Sequence, residues 1–302
     1  MDKHHTKISI VTPSYNQAKF LEDCICSVLN QNCSNIEHVI IDGASTDGSV
    51  SIIRKHEDHL AYWVSEPDKG QYDALNKGFA KTTGEIMAWL NSDDKYTAWA
   101  LSVVADVFSC FPEVEWITSA YPIVWNEKGQ AIGCHYCGGF NRKSFLRGAN
   151  LCRPSRYAGS WIQQESTFWR RSLWERAGSF VEASLQFAGD FELWARFFQY
   201  ADIYAVGAPL GGFRSHGNQK TMTCMGEYLA EAENVLLHYG GKPYGKLESM
   251  VRRYGWYVLG NRSLKRLPTA VGSLLTRLSV LYPVKTCTWM GDKWQIVTDY
   301  AV

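Results

Sequence analysis

The 302-residue chain has no uninterrupted apolar run near the roughly 20 residues that a membrane-spanning helix needs. Charge of either sign is scarcely in excess, with 31 Lys and Arg against 30 Asp and Glu. A formal charge of +1 gives no electrostatic reason to expect nucleic acid as a whole-chain partner. Proline is scarce, at nine residues, and no internal repeat or low-complexity tract is present, which excludes fibrous, solenoid and disordered classes. The nine cysteines are odd in number and form no paired framework, which suits a reducing compartment. Cys134-His135-Tyr136-Cys137 has zinc-like spacing and Cys152 offers a third ligand. No second pair completes the set, so reduced thiols near a hairpin are expected. The start, Met1 to Lys7, shows neither the apolar stretch nor the cleavage site of a secretory signal, and the expected location is cytoplasmic.

What is present is ordinary globular composition, 46% hydrophobic and 20% charged, arranged in alternating patterns. Lys7 to Thr12, the segment around Val39-Ile40-Ile41, Leu60 to Ser65 and Glu85 to Leu90 read as short buried strands. Between and after them, helical spacing appears in Phe20 to Leu29, in the stretch after an Ser45-Thr46-Asp47 cap, in Gln71 to Lys81, and through Leu101, Val104 and Phe108. This alternation predicts an α/β fold, a mainly parallel central sheet flanked by helices. Ligands in such sheets bind beyond the carboxyl ends of the strands. Three strands end in polar clusters: Pro13-Ser14-Tyr15-Asn16, Asp42-Gly43-Ala44-Ser45 and Asn91-Ser92-Asp93-Asp94. All three are expected to line one crevice.

After residue 115 the alternation stops. A hairpin is expected around Glu127-Lys128-Gly129, a long functional loop over 138–160, a helix with the stripe Phe191, Trp194 and Phe198, and a strand over Ile203 to Val206. Two carboxylates at a strand exit suit Mg2+ or Mn2+, which take one or two protein acids and complete their shell with phosphates and water. Asp93-Asp94 meets that need; the alternative is an N-cap for the next helix, but Thr97 could supply that cap, and the position at a strand exit favours metal binding. Asp42 suits either a base or ribose contact or an Asx-turn. Asp190 precedes the Phe191 stripe as an N-cap candidate, but Leu193 stands where a capping box wants Glu or Gln.

Taken together, these segments resemble glycosyltransferase family 2, the inverting enzymes of the GT-A (nucleotide-diphospho-sugar transferase) fold. The matching residues are Ile8 to Asn16, Ile41 to Gly48, Ser65 to Gly78, Gly84-Glu85, Leu90 to Asp94 and Gly189 to Arg196. The resemblance implies that Pro13, Tyr15, Asn16, Asp42, Asp68, Gly70 and Asn76 surround the donor nucleotide. It places Asp93 near the ribose or diphosphate, makes Asp94 the chief metal ligand, with Asp93 and His216 as further candidates, and makes Asp190 the base. Gln164 and Glu165 fall on the acceptor side, and Arg214 and Lys220 are candidates to neutralise phosphate. Two departures stand out. Many members have Asp-Asp-Gly where this chain has Asp42-Gly43-Ala44, and Asn91 stands where many carry another Asp.

The implied reaction moves a sugar from a nucleotide-diphosphate sugar to a hydroxyl of a glycan or lipid-linked acceptor, as in surface polysaccharide synthesis, with Mn2+ or Mg2+ as cofactor. The 138–160 loop is expected to act as a lid. A nucleotidyltransferase-like enzyme would want a glycine-rich phosphate loop near the start, which is lacking. A non-catalytic sugar-nucleotide-binding protein is the other alternative. The domains expected are a catalytic unit over 1–222, divided into a nucleotide half (1–115) and an acceptor half (116–222), and a basic, mostly helical extension over 223–302. Within 240–290 nine Lys and Arg accompany a single acid, Glu248, among many aromatic and leucine residues. Such a segment suits either packing on the main domain or peripheral contact with the inner face of an anionic membrane.

Overall fold

The computed structural model describes residues 6–151, 161–217, 219, 224–245, 248 and 282–301. The first half alternates as the sequence predicts: β1 (Ile8–Ser14), α1 (Ala18–Leu29), β2 (Ile36–Asp42), α2 (Ser49–Lys55), β3 (Tyr62–Ser65), α3 (Gln71–Phe79) and β4 (Ile86–Trp89). Helix α1 turns Phe20, Leu21, Cys24, Ile25 and Val28 inward, the one-sided stripe of a helix lying on a sheet. Next come β5 (Lys95–Tyr96), α4 (Ala100–Cys110), β6 (Trp116–Ser119), and the hairpin of β7 (Ile123–Trp125) and β8 (Ala131–Cys134). They are followed by α5 (Arg142–Leu146), β9 (Phe168–Arg170), α6 (Arg171–Arg176), α7 (Gly189–Phe197), β10 (Tyr204–Val206), β11 (Gly211–Arg214) and α8 (Met225–His238). The last elements are β12 (Tyr282–Met290) and β13 (Lys293–Ala301).

The main sheet has nine strands in the order β13-β12-β10-β6-β9-β4-β1-β2-β3, and β5-β11-β7-β8 form a second sheet. β1 runs parallel to both β2 and β4, and β3 is parallel to β2, so the polar ends of β1, β2 and β4 share one edge. Every residue of β1 is buried, as a central parallel strand requires. Pro13 is tolerated there because β4 pairing ends at Val11, and the main chain of residue 13 faces that vacated side.

Two expectations are corrected. The 223–302 extension is helical in α8, but Tyr282–Met290 and Lys293–Ala301 form a hairpin that prolongs the main sheet through a parallel β10–β12 pair. The 223 boundary therefore cuts through a shared sheet. Nor does Thr97 cap α4: its hydroxyl donates to the carbonyls of Pro209 and Leu210 and ties down β11. Most of the basic 240–290 segment, and residues 152–160 of the expected lid, lie outside the described residues. Cys134 is exposed and Cys137 half-buried, beside the β7–β8 hairpin. No described helix is long and apolar enough to cross a membrane.

Beneath β4, β6 and β9 the core is aromatic. Trp89 and Trp194 stack at 5.9 Å with their planes 7° apart, and Trp116 stacks on Trp194 at 5.6 Å. Trp169 meets both Trp89 and Trp194 edge-on. Such rings bring large apolar area and restricted geometry, so α7 is held rigidly against the sheet.

Glu37 joins the starts of β1, β2 and β4. It accepts from Lys7 Nζ, from the hydroxyls of Ser9 and Thr83, and from the Thr83 and Gly84 backbone. Burial alone would raise its carboxyl, but the hydrogen bonds from Lys7, Ser9 and Thr83 outweigh that and hold it at about 2. A depressed folded value means the stabilisation is complete above the ordinary carboxyl range near 4.5 and is lost as pH falls toward 2. Glu37→Gln is expected to cost on the order of 2–3 kcal/mol at neutral pH, allowing for water around Lys7. It should also flatten the unfolding free energy between those two pH values in urea titrations. A wild-type pH profile in the variant would refute this role.

Candidate active site

The crevice at the shared strand edge is built by loops that hold one another. Asn16, with φ 52°, sits in the left-handed region that Asn tolerates. Its N–H donates to Ser45 Oγ at 2.8 Å and its Oδ1 accepts from Thr46 N at 2.9 Å, binding the β1 loop to the β2 loop. Asp47 accepts from Ala18 N and Ser49 N, serving the starts of α1 and α2 together. Tyr15 is 63% exposed above this platform. Asp68 accepts from Gly70 N at 2.8 Å, in a turn where Gly70 adopts φ 115°. At Gly43 a Cβ would stand 2.7 Å from Asp68 Oδ2 and 3.3 Å from the Tyr15 ring. The space that a second aspartate would need after Asp42 is therefore taken by Asp68 and Tyr15.

Several predicted donor residues are also held within the frame. Asp42 is fully buried, and its carboxylate accepts from Ser45 N, Ser45 Oγ and Ser65 Oγ at 2.5–2.9 Å. These bonds fit the Asx-turn reading and turn the carboxylate toward Ser45 and Ser65. Asn76 spends both ends of its amide on Val181, donating to its carbonyl and accepting from its N–H, and so ties α3 to the 178–185 segment. Pro13 is buried in β1.

At the end of β4, Asp93 and Asp94 are not helix caps, since β5 intervenes and α4 starts at Ala100. Asp94 is 1% exposed, with Oδ1 accepting from Arg214 N at 2.8 Å and Oδ2 from Asn91 Nδ2 at 3.2 Å. Burial, then the neighbouring charges of Asp93 and Glu165, push its carboxyl well above the ordinary range. Asn91 also donates to Gln164 Oε1 and accepts from Gln71 Nε2. An aspartate at 91 would set a further anion against Asp94, so the amide suits this crowded place. Asp93 Oδ2 lies 3.0 Å from His216 Nε2, and the imidazole packs on Phe20 at 4.6 Å.

Gln164 and Glu165, expected on the acceptor side, are buried behind this acidic pair. Gln164 donates to the Trp89 carbonyl at 2.6 Å. Burial raises the Glu165 carboxyl, which also feels the charges of Asp190 and Asp93. Arg214 is committed to partners within the fold. It is 2% exposed, and its guanidinium donates to Asp23, the Asp93 carbonyl and the Glu127 carbonyl. Lys220 lies outside the described residues.

Asp190 sits in the first turn of α7, which has no side-chain cap. Burial raises its carboxyl to about 6, against a 2.7 Å hydrogen bond from Phe191 N. With Phe145, Asn150, Trp161 and Tyr228 it lines a cavity of about 20 Å³, enough for a single water. A larger open cavity of about 350 Å³ lies between α1 and β5, behind Asp23 and Lys95, and contains none of the predicted site residues.

Three carboxylates, Asp93, Asp94 and Glu165, thus meet in a partly dry place where the nearest guanidinium is already committed to Asp23. Among the described residues no set of three or more His, Cys, Asp or Glu is arranged to hold a metal unaided. That donor set fits a cation taking one or two protein ligands and completing its shell from a bound diphosphate.

A mostly parallel sheet flanked by helices, with acids at the exit of β4, fits a GT-A fold, and solved structures agree. S. aureus TarS residues 1–349, in complex with UDP-GlcNAc, superposes with a TM-score of 0.59 at 13% identity, covering 87% of this chain and 77% of that one. The mannosyltransferase PcManGT from Pyrobaculum calidifontis, in complex with GDP-Man and Mn2+, gives 0.55 at 18%, covering 91% and 76%. Residues 9–110 match the family model of glycosyl transferase family 2. Over 91 residues it is 40% identical to an uncharacterized glycosyltransferase of Mycobacterium tuberculosis H37Rv, covering 30% of this chain and 35% of that protein. It is 37% identical over 94 residues to TuaG of Bacillus subtilis 168, a putative teichuronic acid biosynthesis glycosyltransferase, covering 30% and 36%. These matches span about a third of the curated relatives' length.

Proposed function

We propose that the chain is an inverting glycosyltransferase that moves a sugar from a nucleotide-diphosphate sugar to a hydroxyl of a glycan or lipid-linked acceptor. The observation that carries this reading is the buried cluster in which Asn91 donates to Asp94 and Gln164, while Glu165, next to Gln164, feels the charges of both Asp190 and Asp93. It joins the acidic strand end to the candidate base. Tyr15, Asp68 and Gly70 offer the exposed part of the nucleoside platform, and Asp68 supplies the polar group that the Asp42-Gly43-Ala44 departure removes. Asp94 would hold Mn2+ or Mg2+ with Asp93 and His216 beside it, and the bound cation supplies a Lewis acid for charge on the departing diphosphate. Asp190 takes the proton of the attacking hydroxyl, a task suited to a carboxyl raised to about 6. A carbohydrate acceptor of the bacterial envelope is supported by the likeness to TuaG. Peripheral membrane contact through the basic 240–290 segment would bring a lipid-linked acceptor to the crevice.

A thermal-shift screen of UDP-, GDP- and dTDP-sugars with Mn2+ or Mg2+ tests the reading, because a ligand bound only by the folded state raises apparent stability. At 100 times its dissociation constant a donor should add about 2.7 kcal/mol, and the effect should vanish with EDTA. No shift with any sugar nucleotide would remove the proposal.

A further inference from the structure

The four amides that precede Asp190 are all held by side chains from elsewhere in the fold. Gln186 N donates to Glu231 Oε1 at 3.0 Å, and Phe187 N and Ala188 N donate to Glu231 Oε2, each at 2.9 Å. Gly189 N donates to the Tyr72 hydroxyl at 2.9 Å. A Cβ at Gly189 would stand 2.6–2.8 Å from the Tyr72 ring, so glycine lets α3 approach this closely. The first turn of a helix leaves its amides without internal partners. Here one carboxylate from α8 gathers three amides of the segment that leads into that turn, as an anion does in a backbone nest.

We propose that Glu231 is a positioning residue for Asp190, fixing the entry of α7 so that the candidate base faces the acidic strand end. The proposal rests on the reading of Asp190 as the base. Glu231 does not touch the reacting atoms. It acts by holding three successive peptide planes, while Tyr72 holds the fourth from the nucleotide half. Its negative charge also offsets the positive end of the α7 dipole, which would otherwise stabilise the Asp190 anion. The ionisable groups around Asp190 are Tyr72 on α3, Glu165 in the Gln164–Ser166 turn, Glu231 and Tyr228 on α8, and Glu192 on its own helix, which pairs with Arg196. Glu231 lies far beyond residue 110, where the family match ends. The C-terminal helix is therefore part of the active-site scaffold.

The test compares Glu231→Gln, Glu231→Asp and Asp190→Asn with the wild type. The Asp190 carboxyl is titrated by 13C NMR of labelled aspartate, its signal identified by its loss in Asp190→Asn. Turnover is followed as nucleoside diphosphate released from UDP-GlcNAc or GDP-mannose with Mn2+, and binding of UDP and GDP is measured alongside. In Glu231→Gln the Asp190 midpoint should fall by roughly 0.2–0.7 pH units. Turnover should drop about ten- to a hundredfold while nucleotide affinity stays within about twofold. Glu231→Asp keeps the charge and retracts the oxygens, so it should hold the midpoint and still lose turnover. This second variant keeps the test decisive should Glu231→Gln fail to fold. An unchanged midpoint and unchanged turnover in the folded variants, with only a lower Tm, would reduce Glu231 to a helix cap. Wild-type turnover in Asp190→Asn would instead overturn the reading of Asp190 as base, a separate and recognisable failure.

Discussion

Asp190→Asn is expected to lower kcat by about 10²–10⁴-fold while leaving donor binding within about threefold. The amide keeps the oxygen that accepts from Phe191 N, so the first turn of α7 stays intact. It cannot take a proton from the acceptor hydroxyl. Burial raises the wild-type carboxyl to about 6. The base must be ionised to act, so wild-type kcat should fall about tenfold per pH unit below that value and level off above it. The acid limb should disappear from whatever activity the variant retains. The folded value lies above that of an unfolded aspartate, so the ionised group destabilises the fold at neutral pH, and the variant should melt no lower than wild type. A variant with wild-type kcat would show that another group accepts the proton.

The second large effect is at Asp94. Asp94→Asn should reduce turnover by roughly 10³-fold and abolish the metal-dependent part of donor binding, because a neutral amide is a poor ligand for a hard cation. Stability should move the other way. Asp94 is buried beside Asp93 and Glu165, and crowding of like charge raises its carboxyl well above the ordinary range. Removing one charge relieves that crowding. Asn Oδ1 still accepts from Arg214 N, and the long bond from Asn91 Nδ2 is given up, a smaller loss than the charge crowding relieved. The metal-free variant should therefore melt at or above the wild-type temperature, while losing the stabilisation that donor plus Mn2+ gives the wild type. Such a trade of stability for function is expected where a site is built to receive a cation. Full activity in Asp94→Asn would move the metal elsewhere. A collapse in melting temperature would make Asp94 a structural residue.

The acidic residues at strand ends were legible because each lies immediately after an apolar run, and strand direction alone sends it to the shared edge. The orientation of the side chains was not. Asp42 and Asp68 belong to equally recognisable motifs, yet the first turns inward to Ser45 and Ser65 while the second fills the space over Gly43. The choice depends on which hydroxyls the next strand brings within reach, and β3 supplies Ser65 only once it pairs with β2. Arg214 reads as a phosphate ligand from its neighbours in sequence. Folding instead seats it on Asp23, 191 positions away. A buried guanidinium needs a carboxylate, and the nearest one decides its role.

By itself the sequence determined the order and kind of elements from β1 through α4, the crevice at their carboxyl ends, and the residue types able to serve cation and proton chemistry there. Those features follow from short-range periodicity, which chain-local sterics and burial impose. Only the tertiary structure decided which acids remain available, how the Tyr282–Ala301 hairpin joins the sheet, and that Glu231 grips the approach to Asp190 from 43–45 residues away. Hydrogen bonds over such separations leave no local period. They arise when the packing of whole elements brings unsatisfied groups together, and burial makes leaving those groups unpaired costly.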